Sequence, residues 1–287
     1  MLAPQRTGII GGSGLYHMDH IEPIETLDIQ TPWGKPSAPL MLARFYDQEV
    51  VFLPRHGKQH TIPPHQINYR ANIYAMKLAG VSRIISVSAV GSLKEEIAPG
   101  DFVLVDQFVD RTSNREKTFF DSGVVAHVSM ADPICPALHS KLAQACQQAD
   151  ITTHLKGTYL AMQGPQFSTR AESLLYRSWG MDVIGMTNMP EAKLAREAEM
   201  CYATVAMSTD YDCWHEEEAD VSVSSVMEVM HTNVTNAQKM LAHFFQTPSS
   251  PHLCGCQSAL QHGVFADLKQ CDDHTLRPIH ALIQRFL

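Results

Sequence analysis

The chain alternates short apolar runs, rich in β-branched residues, with segments whose apolar positions recur every three or four residues. Residues 7–14, TGIIGGSG, predict a strand running into a glycine turn. Residues 39–46 and 49–54 predict two strands around the polar corner Asp47-Gln48. Pro63 and Pro64 break the pattern. Ile67, Ala71, Tyr74, Ala75 and Leu78 then share one face of a helix that Gly80 closes. SRIISVS predicts the next strand, and FVLVDQFVD a further one after the acidic loop KEEIAPGD. Residues 111–132 are polar, hold Phe119, Phe120 and His127 among charges, and read as a long loop or a lid. A helix starts at Pro136, HLKGTYLAMQGPQF predicts a strand and a turn, and Ala171 to Trp179 predicts a helix stopped by Gly180. Ser222 is placed to cap a long helix along which Val223, Val226, Met227, Met230, Val234, Ala237, Leu241 and Phe244 recur. Residues 246–272 read as loop, with a short helix near 278–286.

The rest of the chain is organised around residues 182–214. DVIGM and YATVAM predict strands, and the segment between them predicts a helix. Pro190 suits its first position, where a missing N–H is no loss. Ala192, Leu194, Ala195 and Ala198 form its apolar side, and Glu191, Lys193, Arg196 and Glu197 put charges elsewhere. Strand, helix, strand is a crossover unit of a mostly parallel α/β sheet. Ligands of such sheets bind outside the carboxyl ends of the strands. Gly12-Ser13, Arg55-His56, Ser88-Ala89, Met186-Thr187 and Asp210-Tyr211-Asp212 are therefore expected at one edge. They divide into an anion set (Ser13, Arg55, His56, Ser88 and Thr187) and a ring set (Phe167, Asp210 and Asp212). The glycines at 11, 12 and 14 do not make a dinucleotide fingerprint. There is no P-loop and no evident Ser or Cys nucleophile motif. His56, His60 and His65 lack a carboxylate or thiol at ligand spacing, so no metal is expected there.

Composition narrows the setting. A hydrophobic share of 45% suits a full core, and a net charge of −8 without a basic block argues against nucleic acid or an anionic membrane as partner. No apolar run is long enough to span a membrane, and MLAPQRTGII lacks the order of a signal peptide. A cytosolic protein is expected. The seven cysteines are scattered, and Cys254-x-Cys256 leaves a strained disulfide and a metal clip both open.

An anion site beside an acid-lined aromatic pocket fits a reaction in which phosphate attacks a nucleoside. GIIGGSGL, RHGKQHTIPP, NYRAN, SAVGSLKEEIAPGD, DQFVDRT, GPQFSTRAES, MTNMPEA, LAREAEMCYA and TDYDCW together resemble the 5′-methylthioadenosine phosphorylase family, from residue 8 to about 245. The resemblance implies a single-domain α/β phosphorylase fold over 1–287, with a mixed, barrel-like sheet flanked by helices and an extension from about 246. It implies a homotrimer, sometimes a dimer of trimers. It implies phosphorolysis of 5′-methylthioadenosine in purine and methionine salvage, with phosphate as co-substrate and no cofactor. By motif, Ser13, Arg55, His56, Ser88, Ala89 and Thr187 resemble the phosphate site, and Met186 the residue beneath the ribose. Phe167, Ser168, Asp210, Tyr211 and Asp212 fall on the purine site, Val223 and Val226 on the methylthio pocket, and His127 on a residue lent by a neighbouring subunit. The family often has Thr where this chain has Ser13 and Ser88, and the hydroxyl is kept. Some relatives have Cys where Val90 stands, a packing change. The C-x-C resembles archaeal members with disulfides in that tail. The rival readings are a phosphorylase of 6-oxo purines, which the TDYD carboxylates disfavour, a nucleoside sensor without turnover, and a hydrolase using water.

Overall fold

One long strand, β5 (Val81–Ser92), carries the architecture, because three other strands pair along it. In this computed structural model, residues 6–16, 18–215, 223–247 and 254–287 are described, without the side chains of Ser13 and residues 223–226. The strands are β1 (Arg6–Gly11), β2 (Ile21–Leu27), β3 (Leu40–Phe45), β4 (Gln48–Pro54), β5, β6 (Phe102–Leu104), β7 (Gln107–Asp110), β8 (Thr153–His154), β9 (Thr158–Ala161), β10 (Val183–Gly185) and β11 (Cys201–Asp210). The helices are α1 (Tyr69–Leu78), α2 (Pro136–Gln148), α3 (Arg170–Ser178), α4 (Asn188–Glu197), α5 (Val223–Gln246), α6 (Asp273–Leu276) and α7 (His280–Ile283).

All strands join one mixed sheet in the order β2-β3-β4-β1-β5-β10-β9-β7, with β11 also on β5, β6 on β11 and β8 on β6. The parallel centre (β4, β1, β5 and β11) is buried on both faces, which is why GIIG, VVFL, RIISV and CYATVAM are rich in apolar and β-branched residues without a period-two alternation. The predicted crossover needs one correction. Residues 182–214 do form strand, helix, strand, but β10 pairs β5 antiparallel while β11 pairs it parallel. The two strands therefore converge on the same stretch of β5 from opposite directions, Ile184 and Asp210 both standing opposite Gly91.

FVLVDQFVD divides into β6 and β7, which pair different neighbours. β2 escapes the hydrophobic pattern because it is a solvent-exposed edge strand with Pro23 and a bulge, and its burial shows no alternation. Within α4, Met189 is non-helical (φ −118°, ψ 130°), so regular helix begins at Pro190 as expected. α3 starts at a capping box between Thr169 and Glu172. The expected cap Ser222 lies outside the described residues. The segment 111–132 is not a raised lid: Thr112, Arg115, Phe119, Phe120 and Val124 are buried. No helix among the described residues is long and apolar enough to cross a membrane.

Candidate active site

The strand ends surround a cavity of about 700 Å³. Gly12, Arg55, His56, Ser88, Ala89, Met186, Thr187, Phe167, Asp210 and Asp212 all line it. A sheet switch explains the meeting. β10 pairs the end of β5 antiparallel and β11 pairs it parallel, so the C-terminal ends of β10 and β11 both come to β5 near Gly91.

A bulge aims the first carboxylate. β11 shifts register between Ser208 and Asp210, so Thr209 is the extra residue and Asp210 turns toward Gly91. A Cβ on Gly91 would stand 2.9 Å from Asp210 Oδ1, which explains the glycine. Thr209 Oγ1 donates to Asp210 Oδ2 at 2.7 Å, and the Asp212 N–H donates to Oδ1 at 2.8 Å. Burial nevertheless raises the Asp210 pKa, and the Asp212 carboxylate adds to the rise. Asp212 sits at φ +51° and is itself buried. Its pKa is also raised by burial, with Ser173 and Ser168 nearby opposing the shift. Its Oδ2 is buried and has no hydrogen-bond partner among the described residues.

The anion half is built from hydroxyls and a buried cation. Ser88 Oγ and Thr187 Oγ1 lie 3.3 Å apart, and the Thr187 N–H reaches Tyr159 Oη at 3.4 Å beneath them. Arg55 is not the open fork that the sequence suggests. Its Nε donates to Glu191 Oε2 at 2.9 Å, and its Nη2 donates to Ser86 Oγ at 2.6 Å and to Glu191 Oε1 at 3.2 Å. Nη1 donates to the Val87 carbonyl at 3.0 Å, which leaves one of its two N–H groups for a ligand. Burial opposes the guanidinium charge, but Glu191 holds its pKa above the usual value. Glu191, read from the sequence as an outward charge, is only 1% exposed and also accepts from Ser86 Oγ and Tyr202 Oη. His56 donates from Nδ1 to the Ile62 carbonyl at 2.8 Å, which leaves Nε2 as an acceptor. Burial and the Arg55 charge push its pKa down to about 4.

The remaining expected residues divide. Phe167, 49% exposed, presents its ring to the cavity, and Ser168 stands near Asp212. A Cβ on Gly164, at φ +64°, would meet Met186 Sδ at 2.5 Å, so the glycine lets Met186 into the wall. Tyr211 is not among the lining residues: its hydroxyl donates to the Glu95 carbonyl at 3.3 Å and its ring stacks on His215. His127 is exposed, edge-on to Phe265, and does not line the cavity of its own chain. The side chains of Ser13, Val223 and Val226 lie outside the described residues. One turn further along α5, Met227, Met230 and Val234 form an apolar wall. Their period marked them as core, and nothing local separates the two roles. Arg115 was also missed: from 111–132 it donates to the Met186 and Met189 carbonyls at 2.7 and 2.8 Å, bracing the wall.

A strand-end cavity that sets hydroxyls and a buried cation beside two carboxylates and a ring suits the transfer of a sugar between an aromatic base and an anion. Residues 6–246 match the family model described as "Phosphorylase superfamily". The chain is 51% identical to the S-methyl-5′-thioadenosine phosphorylase of Geobacter sulfurreducens over 92% of each chain, and 49% identical to that of Cereibacter sphaeroides over 98% of each. Among solved structures, a methylthioadenosine phosphorylase from an antarctic soil metagenomic library is similar with a TM-score of 0.91, at 44% identity over 98% of this chain and 99% of that one. A variant of adenosine/methylthioadenosine phosphorylase from Schistosoma mansoni in complex with adenine follows at TM-score 0.81 and 38% identity, over 84% and 91%. The chain belongs to the phosphorylase superfamily, in its S-methyl-5′-thioadenosine phosphorylase family.

Proposed function

We propose that this chain catalyses phosphorolysis of 5′-methylthioadenosine to adenine and 5-methylthioribose 1-phosphate, with inorganic phosphate as co-substrate and no other cofactor. The observation that carries the substrate choice is Asp212 Oδ2, a buried acceptor with no hydrogen-bond partner among the described residues. The 6-amino group of adenine is a donor that satisfies it. A 6-oxo purine would meet it with an oxygen and leave two buried acceptors facing each other.

Phosphate sits against the Ser88 and Thr187 hydroxyls, the backbone at Gly12-Ser13 and Ala89, and the remaining Nη1 N–H of Arg55. Glu191 neutralises most of the Arg55 charge, so Arg55 works chiefly by fixing the strand ends and supplying one directed donor. Neutral His56 accepts through Nε2, which suits the O–H of monohydrogen phosphate and orients its bare oxygens toward C1′. One of these oxygens forms a bond to C1′ as the C1′–N9 bond breaks and its electron pair leaves with adenine. Asp210, with its raised pKa, gives or shares a proton at N7, so the base departs without a full negative charge. Holding both reactants in one cavity removes much of the entropic barrier, up to ~7–11 kcal/mol in favourable cases. Phe167 covers the base, Met186 underlies the ribose, and Met227, Met230 and Val234 receive the methylthio group.

The reading includes a cytosolic homotrimer or dimer of trimers in which His127 completes a neighbour's site. Its support is the exposed apolar surface of Val125 and Phe265 around His127. The test compares kcat/KM for 5′-methylthioadenosine, adenosine and 5′-methylthioinosine at saturating phosphate. The 6-amino methylthio substrate is expected to be fastest. A 6-oxo substrate as fast as its 6-amino counterpart refutes the role of Asp212.

A further inference from the structure

Outside the active site, Cys135, Cys201, Cys254 and Cys256 bring four sulfurs within 4.8 Å of one another. They come from three separate places. Cys135 precedes α2 at its N-terminus, Cys201 opens β11, and Cys254 and Cys256 flank Gly255 in the C-terminal segment. Cys201 Sγ and Cys254 Sγ are 3.3 Å apart, and none of the chain's cysteines forms a disulfide. Zinc held tetrahedrally by four thiolates at ~2.3 Å puts neighbouring sulfurs about 3.8 Å apart. Two disulfides would instead split the set into pairs at about 2.05 Å. Four mutual neighbours describe the first arrangement.

The surroundings suit a thiolate cluster. Zinc with four thiolates carries two net negative charges, which a buried site must balance. Arg83 is buried, and its charge faces Cys201 and Cys135. The Leu138 N–H, in the first turn of α2, bonds toward the Cys135 sulfur. We propose that these four cysteines bind a structural Zn²⁺ that fastens the C-terminal segment to α2 and β11. The segment beyond the cluster holds other parts in turn. Glu199 Oε1 accepts from the Leu260 N–H at 2.8 Å. The Gly263 carbonyl accepts from the His127 N–H at 2.9 Å, and the Phe265 N–H reaches the Val125 carbonyl at 3.0 Å. The metal therefore also fixes the loop that carries His127.

The test uses the full chain, purified anaerobically under reducing conditions without chelator from zinc-supplemented cells. Elemental analysis should find one zinc per chain. A mercurial thiol reagent should release it in step with thiol titration, read with a zinc-binding dye. Cys254→Ser/Cys256→Ser should lose the zinc, and circular dichroism reports whether the variant is folded. Should it fail to fold, release from the wild type decides. Wild-type chain without zinc, zinc that stays bound after the thiols are titrated, or a folded variant that keeps the wild-type content overturns the proposal. So does alkylation trapping at lysis that finds these cysteines already in disulfides.

Discussion

Asp212→Asn isolates the basis of substrate choice. The change is nearly isosteric, and it replaces the buried oxygen lacking a partner with an amide that can present N–H to the base. Toward a 6-amino purine, the variant loses one hydrogen bond to a charged acceptor, about 1.5–3 kcal/mol, and leaves donors facing each other at a further ~1–3 kcal/mol. The sum, about 2.5–6 kcal/mol, corresponds to a fall of roughly 10²–10⁴ in kcat/KM for 5′-methylthioadenosine. Toward 5′-methylthioinosine the amide donates to O6, so that activity should rise. A second effect follows from the neighbour. The Asp212 charge helps to raise the Asp210 pKa, so its removal moves the kcat–pH profile for both substrates to lower pH. The assay is steady-state kinetics on both nucleosides, with a thermal melt as control. A buried charge has been removed, so the melt should not fall. An equal loss on both substrates, with an unchanged melt, would rule out Asp212 as the group that reads the 6-position.

Gly91→Ala should cut kcat by ~10²-fold, because its Cβ, 2.9 Å from Asp210 Oδ1, displaces the proton donor; unchanged kcat would show that Asp210 tolerates the shift. Glu191→Gln should destabilise the chain by about 3–5 kcal/mol, because it leaves the Arg55 charge buried alone. Phosphate should then raise its melting temperature more than it raises that of the wild type, and calorimetry with and without phosphate reads the difference. His56 sets a pH trend. Its folded pKa of about 4 lies below the usual imidazole value of 6.5, so the unfolded chain binds a proton that folded His56 refuses. Stability is complete above 6.5 and is lost as pH falls toward 4. Denaturant melts of His56→Asn should show a shallower loss across that window than wild type.

The buried parallel strands were legible because both their faces are covered, so TGIIG, VVFL and CYATVAM carry β-branched runs without alternation. The ends of β4 and β11 delivered Arg55, His56, Asp210 and Asp212 to one cavity, where Ser88 from within β5 and Thr187 after β10 join them. Direction was not legible: nothing in DVIGM states that β10 runs against β5. Glu191 looked solvated because its partner Arg55 is 136 residues away. Tyr211 follows a strand end like its neighbours, but its hydroxyl bonds the Glu95 carbonyl and its ring stacks on His215, contacts that no local pattern announces. Cys135 and Cys201 could not be joined to the C-x-C for the same reason as Arg55 and Glu191, since only the fold brings them together.

Phosphate dependence separates phosphorolysis from hydrolysis in one experiment. Adenine release from 5′-methylthioadenosine should be measured with and without inorganic phosphate, with the sugar product identified by mass spectrometry. Adenine should appear only with phosphate, beside 5-methylthioribose 1-phosphate. Release of adenine in phosphate-free buffer, with free 5-methylthioribose, would overturn the phosphorolytic reading and make water the nucleophile.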